Sequence, residues 1–189
     1  LAFARAAEEA TIVRKAVVQQ LGQSVIDTAN VMSGVIGAGG KILIAGNGGS
    51  ATMSSHFAAE MVVRLTSARN RQALPAIALS SDIGVLTACA NDYGFENVFA
   101  RQVEALGNRS DMLIVMSTSG NSENLLRAVK VAKEKNLICG ALLGGTGGKL
   151  AKMVERPLVI PHPSTQRIQE EHLFLIHYLV ELVERDLFA

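Results

Sequence analysis

Along the chain, short runs of consecutive apolar residues alternate with longer stretches in which apolar residues recur every three or four positions. Five runs, "KILIAG" (41–46), "LPAIAL" (74–79), "DMLIVMS" (111–117), "LICGALLG" (137–144) and "RPLVIP" (156–161), read as buried strands. Each is too short for a buried helix, and most end in Gly, Ser or Pro. Between them, residues 51–65 keep Met53, Phe57, Met61 and Leu65 on one helical stripe. Residues 122–135 set Leu125, Leu126, Val129 and Ala132 opposite a lysine-bearing face. Strands alternating with helices predict an α/β fold: a five-stranded parallel sheet with helices on both faces.

Helical patterns flank this unit. Residues 3–37 carry Val17, Leu21, Val25, Ile26, Ala29, Val31 and Met32 at helical spacing. Residues 165–187 are apolar on more than one side, through Ile168, Leu173, Phe174, Ile176, Leu179, Val180, Leu182 and Val183. A helix apolar around much of its girth is central to a core or covered by another subunit. Apolar surface at both ends therefore predicts an oligomer. With no repeat and no low-complexity linker, residues 1–189 read as one domain, an N-terminal helical segment (1–39) followed by an α/β core (40–189).

Composition narrows the options only a little. The 18 Lys and Arg nearly balance the 17 Asp and Glu, so no broad basic surface for nucleic acid is expected. No apolar run reaches the ~20 residues that span a bilayer. Glu8 and Glu9 stand where a signal peptide would have its apolar middle, and the chain does not open with Met, which suggests residues preceding it. The expectation is a cytoplasmic protein without membrane contact. Cys89 and Cys139 sit in apolar surroundings without a CxxC motif and read as buried free thiols.

Two loops share one chemistry. "GNGGS" (46–50) follows the first strand and "STSGNS" (117–122) the third, and each opens a helix. Ligands of open parallel sheets bind beyond the C-terminal strand ends. Glycines let backbone N–H groups approach an anion there, and the helix N-terminus favours negative charge. No GKS or GKT follows the first loop, the GxGxxG register is broken at Ser50, and no acidic residue ends the next strand. A small phosphate ester therefore fits better than a dinucleotide, although turn glycines and helix caps alone would also leave this pattern.

His56 and Glu60 fall one turn apart on one helix face, a spacing that suits two ligands of one metal, a base with its orienting partner, or a surface ion pair. His177 is embedded among Leu173, Ile176 and Val180, so it has either a satisfied backbone partner or a designated role. His172 lies about 140° around the helix from His177, so the two should not share a site. His162, between a strand end and a proline, reads as a loop residue.

Taken in series, "AGNGGSATMSSHFAAEM", "ALSSDIGVLTACANDYGFENVFARQVEALG", "DMLIVMSTSGNSENLLRAVKVAKEKNL" and "RIQEEHLFLIHYLVELVE" resemble the phosphoheptose isomerases, sugar-isomerase (SIS) domain enzymes, over residues 14–188. The STSGNS loop marks only the broad superfamily. The GNGGS…H…E, ANDYGF and IQE…H segments are more specific. The resemblance implies a three-layer flavodoxin-like sheet and a homotetramer with active sites at subunit boundaries. It implies phosphate at Ser117, Thr118, Ser119 and Ser122, and sugar contacts from Gly48, Gly49, Ser50, Asn91 and Asp92. It implies a zinc ion on His56, Glu60, Gln169 and His177, with Glu60 and Gln169 also reaching substrate. Glu171 stands where relatives often carry a smaller or apolar residue.

On that resemblance the reaction is conversion of sedoheptulose 7-phosphate to the aldose heptose 7-phosphate, which feeds lipopolysaccharide-type heptose synthesis. Glu60 is the candidate base and His177 the acid–base partner. Glu60 cannot readily be both a tight ligand and a free base. Gln169 and His177 are ~12 Å apart along a regular helix. Their meeting on one metal thus predicts a helix irregularity near 169 or donation of one residue by a neighbouring chain. Other readings share the SIS motifs: a non-catalytic tetramer that binds a bacterial replication initiator, and a phosphosugar-binding regulator or an isomerase of a different phosphosugar. Retention of His56, Glu60 and His177 favours the enzyme.

Overall fold

The computed structural model describes residues 1–188. Helix α1 (Ala2–Gly37) leads into β1 (Ile42–Gly46), α2 (Gly49–Val62) and β2 (Ala76–Ala78). Then come α3 (Ile83–Tyr93), α4 (Val98–Leu106), β3 (Met112–Ser117), α5 (Glu123–Glu134), β4 (Ile138–Gly144), β5 (Arg156–Ile160) and α6 (Thr165–Phe188). The five strands are all parallel, in the order β2-β1-β3-β4-β5. In such a sheet the order reverses between β1 and β3, and the crevice there takes the ligand. Both phosphate-type loops leave the sheet at those two strands.

Alternation within the apolar runs builds the layers. Ile42, Ile44, Met112, Ile114 and Met116 face a core shared with α1, α2 and α6. Leu43, Ala45, Leu113 and Val115 face the opposite core, built with α4 and α5. The central strands β1 and β3 are therefore apolar on both sides, which is why their sequences show no polar alternation.

Three local expectations change. The strand expected over 74–79 shortens to Ala76–Ala78, because β2 is an edge strand with half-exposed residues. The helix expected to reach Leu65 stops at Val62, and the Leu65 N–H turns away to donate to Glu184 Oε1 at 3.2 Å. Two helices, α3 and α4, occupy a stretch in which the hydrophobic pattern had shown none. Cys89 is the one buried residue of α3, while Ile83, Val85 and Tyr93 are exposed, so no apolar stripe marks it. Its start is set by Asp82, whose carboxylate accepts from the Val85 N–H at 2.9 Å.

Helix α6 crosses the sheet face beside α1. Glu171, 1 % exposed, accepts from the Arg14 Nε at 2.5 Å, and that guanidinium lies 3.7 Å over the Phe174 ring. The acidic residue is thus an anchor for α1. Both cysteines are free and buried, and burial, with Glu155 nearby, pushes the Cys139 thiol up to about 12. That thiol is inert at neutral pH.

His172 pins the same helix to the sheet. It is fully buried and donates from Nε2 to the Leu143 carbonyl at 3.1 Å, while its Nδ1 has no partner. Burial lowers its pKa to about 4, against a smaller opposing effect of the Leu143 bond. The folded protein therefore binds fewer protons than the unfolded chain between about pH 6.5 and 4. Stability present above pH 6.5 is lost as pH falls through that window, by roughly 3 kcal/mol at most. Urea unfolding at pH 7.5, 6 and 4.5 should show this slope, and His172→Gln should flatten it.

Candidate active site

The loop after β1 turns at Gly48, whose φ of +55° and ψ of −123° suit only glycine. Helix α2 starts at once, with the Ser50 N–H donating to Asn47 O at 2.9 Å. The loop after β3 curls around Ser117. Its Oγ accepts from the Gly120 N–H at 3.0 Å and lies 3.4 Å from Ser119 Oγ and 3.5 Å from Ser122 Oγ. Gly120 has φ +66°, and a Cβ there would meet Gly147 O at 2.0 Å, so the loop lies directly against the 144–149 turn.

A reciprocal amide pair joins the first loop to the start of α5. Asn47 Nδ2 donates to Asn124 Oδ1 at 2.9 Å, and Asn124 Nδ2 returns a bond to Asn47 Oδ1 at 2.8 Å. Between the loops lies a cavity of about 100 Å³ lined by Asn47, Ser50, Met116, Ser117, Thr118, Ser119, Ser122 and Gln169. Its polar lining carries no charge. Serine and threonine hydroxyls, with the start of α5 immediately after Ser122, give this cradle chemistry suited to a small anion. Gln169 reaches it from α6, close enough to Gly49 that a Cβ there would fall 2.7 Å from Gln169 Nε2.

Further along the same two helices a second group forms. His56 Nε2 and His177 Nε2 face each other at 2.8 Å, with the rings at 72°. Glu60 Oε1 is 3.7 Å from His56 Nε2, and Glu60 Oε2 is buried without a hydrogen-bond partner. Among the described residues no three His, Cys, Asp or Glu side chains are already grouped to hold a metal. The donor types nevertheless fit one. Two imidazole nitrogens and a carboxylate oxygen converge, one oxygen is orphaned, and a tetrahedral ion would need the nitrogens only about 0.5 Å further apart.

The structure thus brings His56, Glu60 and His177 together, and Ser50, Ser117, Thr118, Ser119, Ser122 and Gln169 together, with Gly48 and Gly49 shaping the start of α2. Within this chain Gln169 lines the cradle. Helix α6 is continuous from Thr165 to Phe188, with eight residues of regular helix separating Gln169 from His177 by ~12 Å, so of the two expected routes to a shared metal only donation by a neighbouring chain is compatible with this helix. Asn91 and Asp92 also lie elsewhere. They are exposed on the last turn of α3, bonded to each other at 2.8 Å, and Asp92 faces a groove with Cys89, Tyr93 and Arg101. His172 and His177 do serve separate places, as their angular offset requires. His162 lies in the loop before α6, 3.5 Å from Glu9.

A SIS domain is matched over residues 7–144. The chain is 53% identical to phosphoheptose isomerase 1 of Campylobacter jejuni over 146 residues, 77% of each chain. The chain belongs to the phosphoheptose isomerase family of SIS-domain proteins. Two solved phosphoheptose isomerases share the fold. The one from Neisseria gonorrhoeae has a TM-score of 0.90 and 41% identity, covering 97% of both chains. The one from Francisella tularensis has a TM-score of 0.92 and 35% identity, covering 97% of this chain and 96% of that one.

Within this family frame, two features had no sequence signal. Asn47 lies in the first loop and Asn124 in the first turn of α5, and nothing in the string joins residues 77 apart. Arg71 sits in a polar segment, "SARNRQAL", that reads as an ordinary exposed loop, yet its side chain is 1% exposed.

Proposed function

We propose that this enzyme is an aldose–ketose isomerase that converts sedoheptulose 7-phosphate to D-glycero-D-manno-heptose 7-phosphate. One observation carries the reading. Helices α2 and α6 each run from the uncharged anion cradle to the His56–Glu60–His177 group, so one long sugar phosphate can lie along both. Separation of the two groups by about two helical turns suits a seven-carbon chain better than a triose.

The cradle holds the phosphate through hydroxyls and N–H groups, with Gln169 of the same chain beside it. Binding energy spent there positions the reacting carbons without itself reacting. Glu60 takes the proton from C1 and returns it to C2, and His177 moves protons between the two neighbouring oxygens. The buried, unpartnered Glu60 Oε2 is an acceptor already stripped of competing donors. His56 orients the pair from the opposite side of the 2.8 Å contact. Zinc is the metal we assign to His56, Glu60 and His177, where, when bound, it supplies Lewis-acid polarisation of the carbonyl oxygen.

The sugar-contact role of Asn91 and Asp92 and any metal contact of Gln169 then fall to a neighbouring chain. Exposed Val18, Ile26, Leu173 and Tyr178 on α1 and α6 supply an apolar face for such an assembly, which we take to be a homotetramer. No helix among the described residues is long and apolar enough to cross a membrane, and a cytoplasmic setting agrees with the expected substrate. The replication-initiator reading is not favoured, because the relatives compared above are isomerases. A phosphosugar regulator would not need the His–Glu group.

The test is aldose formation from sedoheptulose 7-phosphate, with and without chelator. Turnover is expected, and its loss on chelation with recovery on added zinc would support the metal. No turnover by folded, zinc-supplemented protein would remove the isomerase assignment.

A further inference from the structure

The connection between α2 and β2 buries a cation. Arg71 Nε donates to Glu184 Oε1 at 2.7 Å, and both side chains are at most 5% exposed. Arg71 Nη2 donates to Glu60 O at 2.7 Å, and Nη1 to Met61 O at 2.8 Å and Gln72 O at 2.9 Å. Glu60 and Met61 are in the last turn of α2, where carbonyls lack helical partners and a positive charge is favoured. Glu184 lies seven residues beyond His177, two turns along the same face of α6. It is held on its other side by the Leu65 N–H at 3.2 Å, and its carbonyl accepts from Arg69 Nη1 at 2.7 Å.

A single planar fork thus ties the backbone of Glu60 to the stripe of α6 that carries His177. The His56–His177 contact joins the same two helices one turn of α2 earlier. These two ties, added to the apolar packing of Phe57 and Met61 in the core shared with α6, set both the spacing and the rotation of α2 against α6. We propose that Arg71, braced by Glu184, is a positioning residue for the isomerisation. It acts through the Glu60 backbone to hold Glu60 and His56 against His177. This rests on the isomerase reading, and a buried pair could otherwise serve stability alone.

Arg71→Lys keeps the charge but not the fork, since an ammonium cannot reproduce the planar donor set. Glu184→Gln keeps an acceptor for Arg71 but weakens the brace. The kcat and KM for sedoheptulose 7-phosphate, the inhibition constant of inorganic phosphate and the urea midpoint would be measured for both and for the double variant. Displacement of reacting groups by about 1 Å can cost 10²-fold in rate. Arg71→Lys should lower kcat about tenfold or more, leaving KM and phosphate inhibition within about threefold. Glu184→Gln should lower it less, and the double variant should match Arg71→Lys alone. Unchanged kcat in folded variants with only a lower midpoint would overturn the proposal, as would a parallel loss of phosphate binding. Should Arg71→Lys not fold, Glu184→Gln decides by the same criteria. The imidazole ¹⁵N resonances of His56 and His177 give a reading that needs no turnover. They should shift in either variant, and unshifted resonances sink the positioning role even if the wild type proves not to isomerise this sugar.

Discussion

Glu60→Gln should lower kcat for aldose formation by about 10²–10⁴-fold, the usual contribution of a positioned base. The amide matches the carboxylate in size, so the change is one of chemistry. Glu60 sits on the last turn of α2 with its backbone gripped by Arg71, and its Oε1 is 3.7 Å from His56 Nε2. An amide in that place accepts no proton from C1. It also sets an NH2 where the orphaned Oε2 now is. KM should move far less, because the proposed phosphate site is the separate cradle. Zinc content measured on the same samples separates the two roles of Glu60. Activity lost with zinc retained marks the base, whereas zinc lost together with activity marks the ligand. A variant with wild-type kcat would end the assignment of Glu60 to catalysis.

Gly120→Ala should damage fold and cradle together. A Cβ at Gly120 would lie 2.0 Å from Gly147 O and 2.4 Å from Gly147 C, and neither backbone atom can rotate away. The φ of +66° adds the cost of a left-handed conformation. Together these should cost about 2–4 kcal/mol, read as a lower urea midpoint. The Gly120 N–H is the donor that orients Ser117 Oγ, so displacement of the loop also disperses the hydroxyls around the cavity. A fall in kcat/KM of about tenfold or more is expected, with weaker inhibition by inorganic phosphate. A Gly120→Ala protein of unchanged stability and phosphate affinity would mean that the two glycine turns do not press on each other.

Much of this was legible before any coordinates. Short uninterrupted apolar runs bounded by Gly, Ser and Pro sufficed for five parallel strands, because strands largely buried on both faces leave that signature. The i,i+4 spacing of His56 and Glu60 placed them on one face of α2, a local consequence of 3.6 residues per turn. Glycines at 46–49 and hydroxyls at 117–122 marked, through local chemistry alone, the two loops that border the polar cavity.

Pairing across long separations was decided only in three dimensions. Helix α3 escaped notice because it buries little and so has no stripe. His56 and His177 are 121 residues apart, and only the packing of α2 against α6 brings their Nε2 atoms to 2.8 Å. That same packing sends Gln169 of this chain to the cradle. Arg71 illustrates the reason most plainly. Local sequence specifies periodicity and turn chemistry, but which buried cation finds which orphaned carbonyls depends on how two helix ends meet, and that is settled by the whole core.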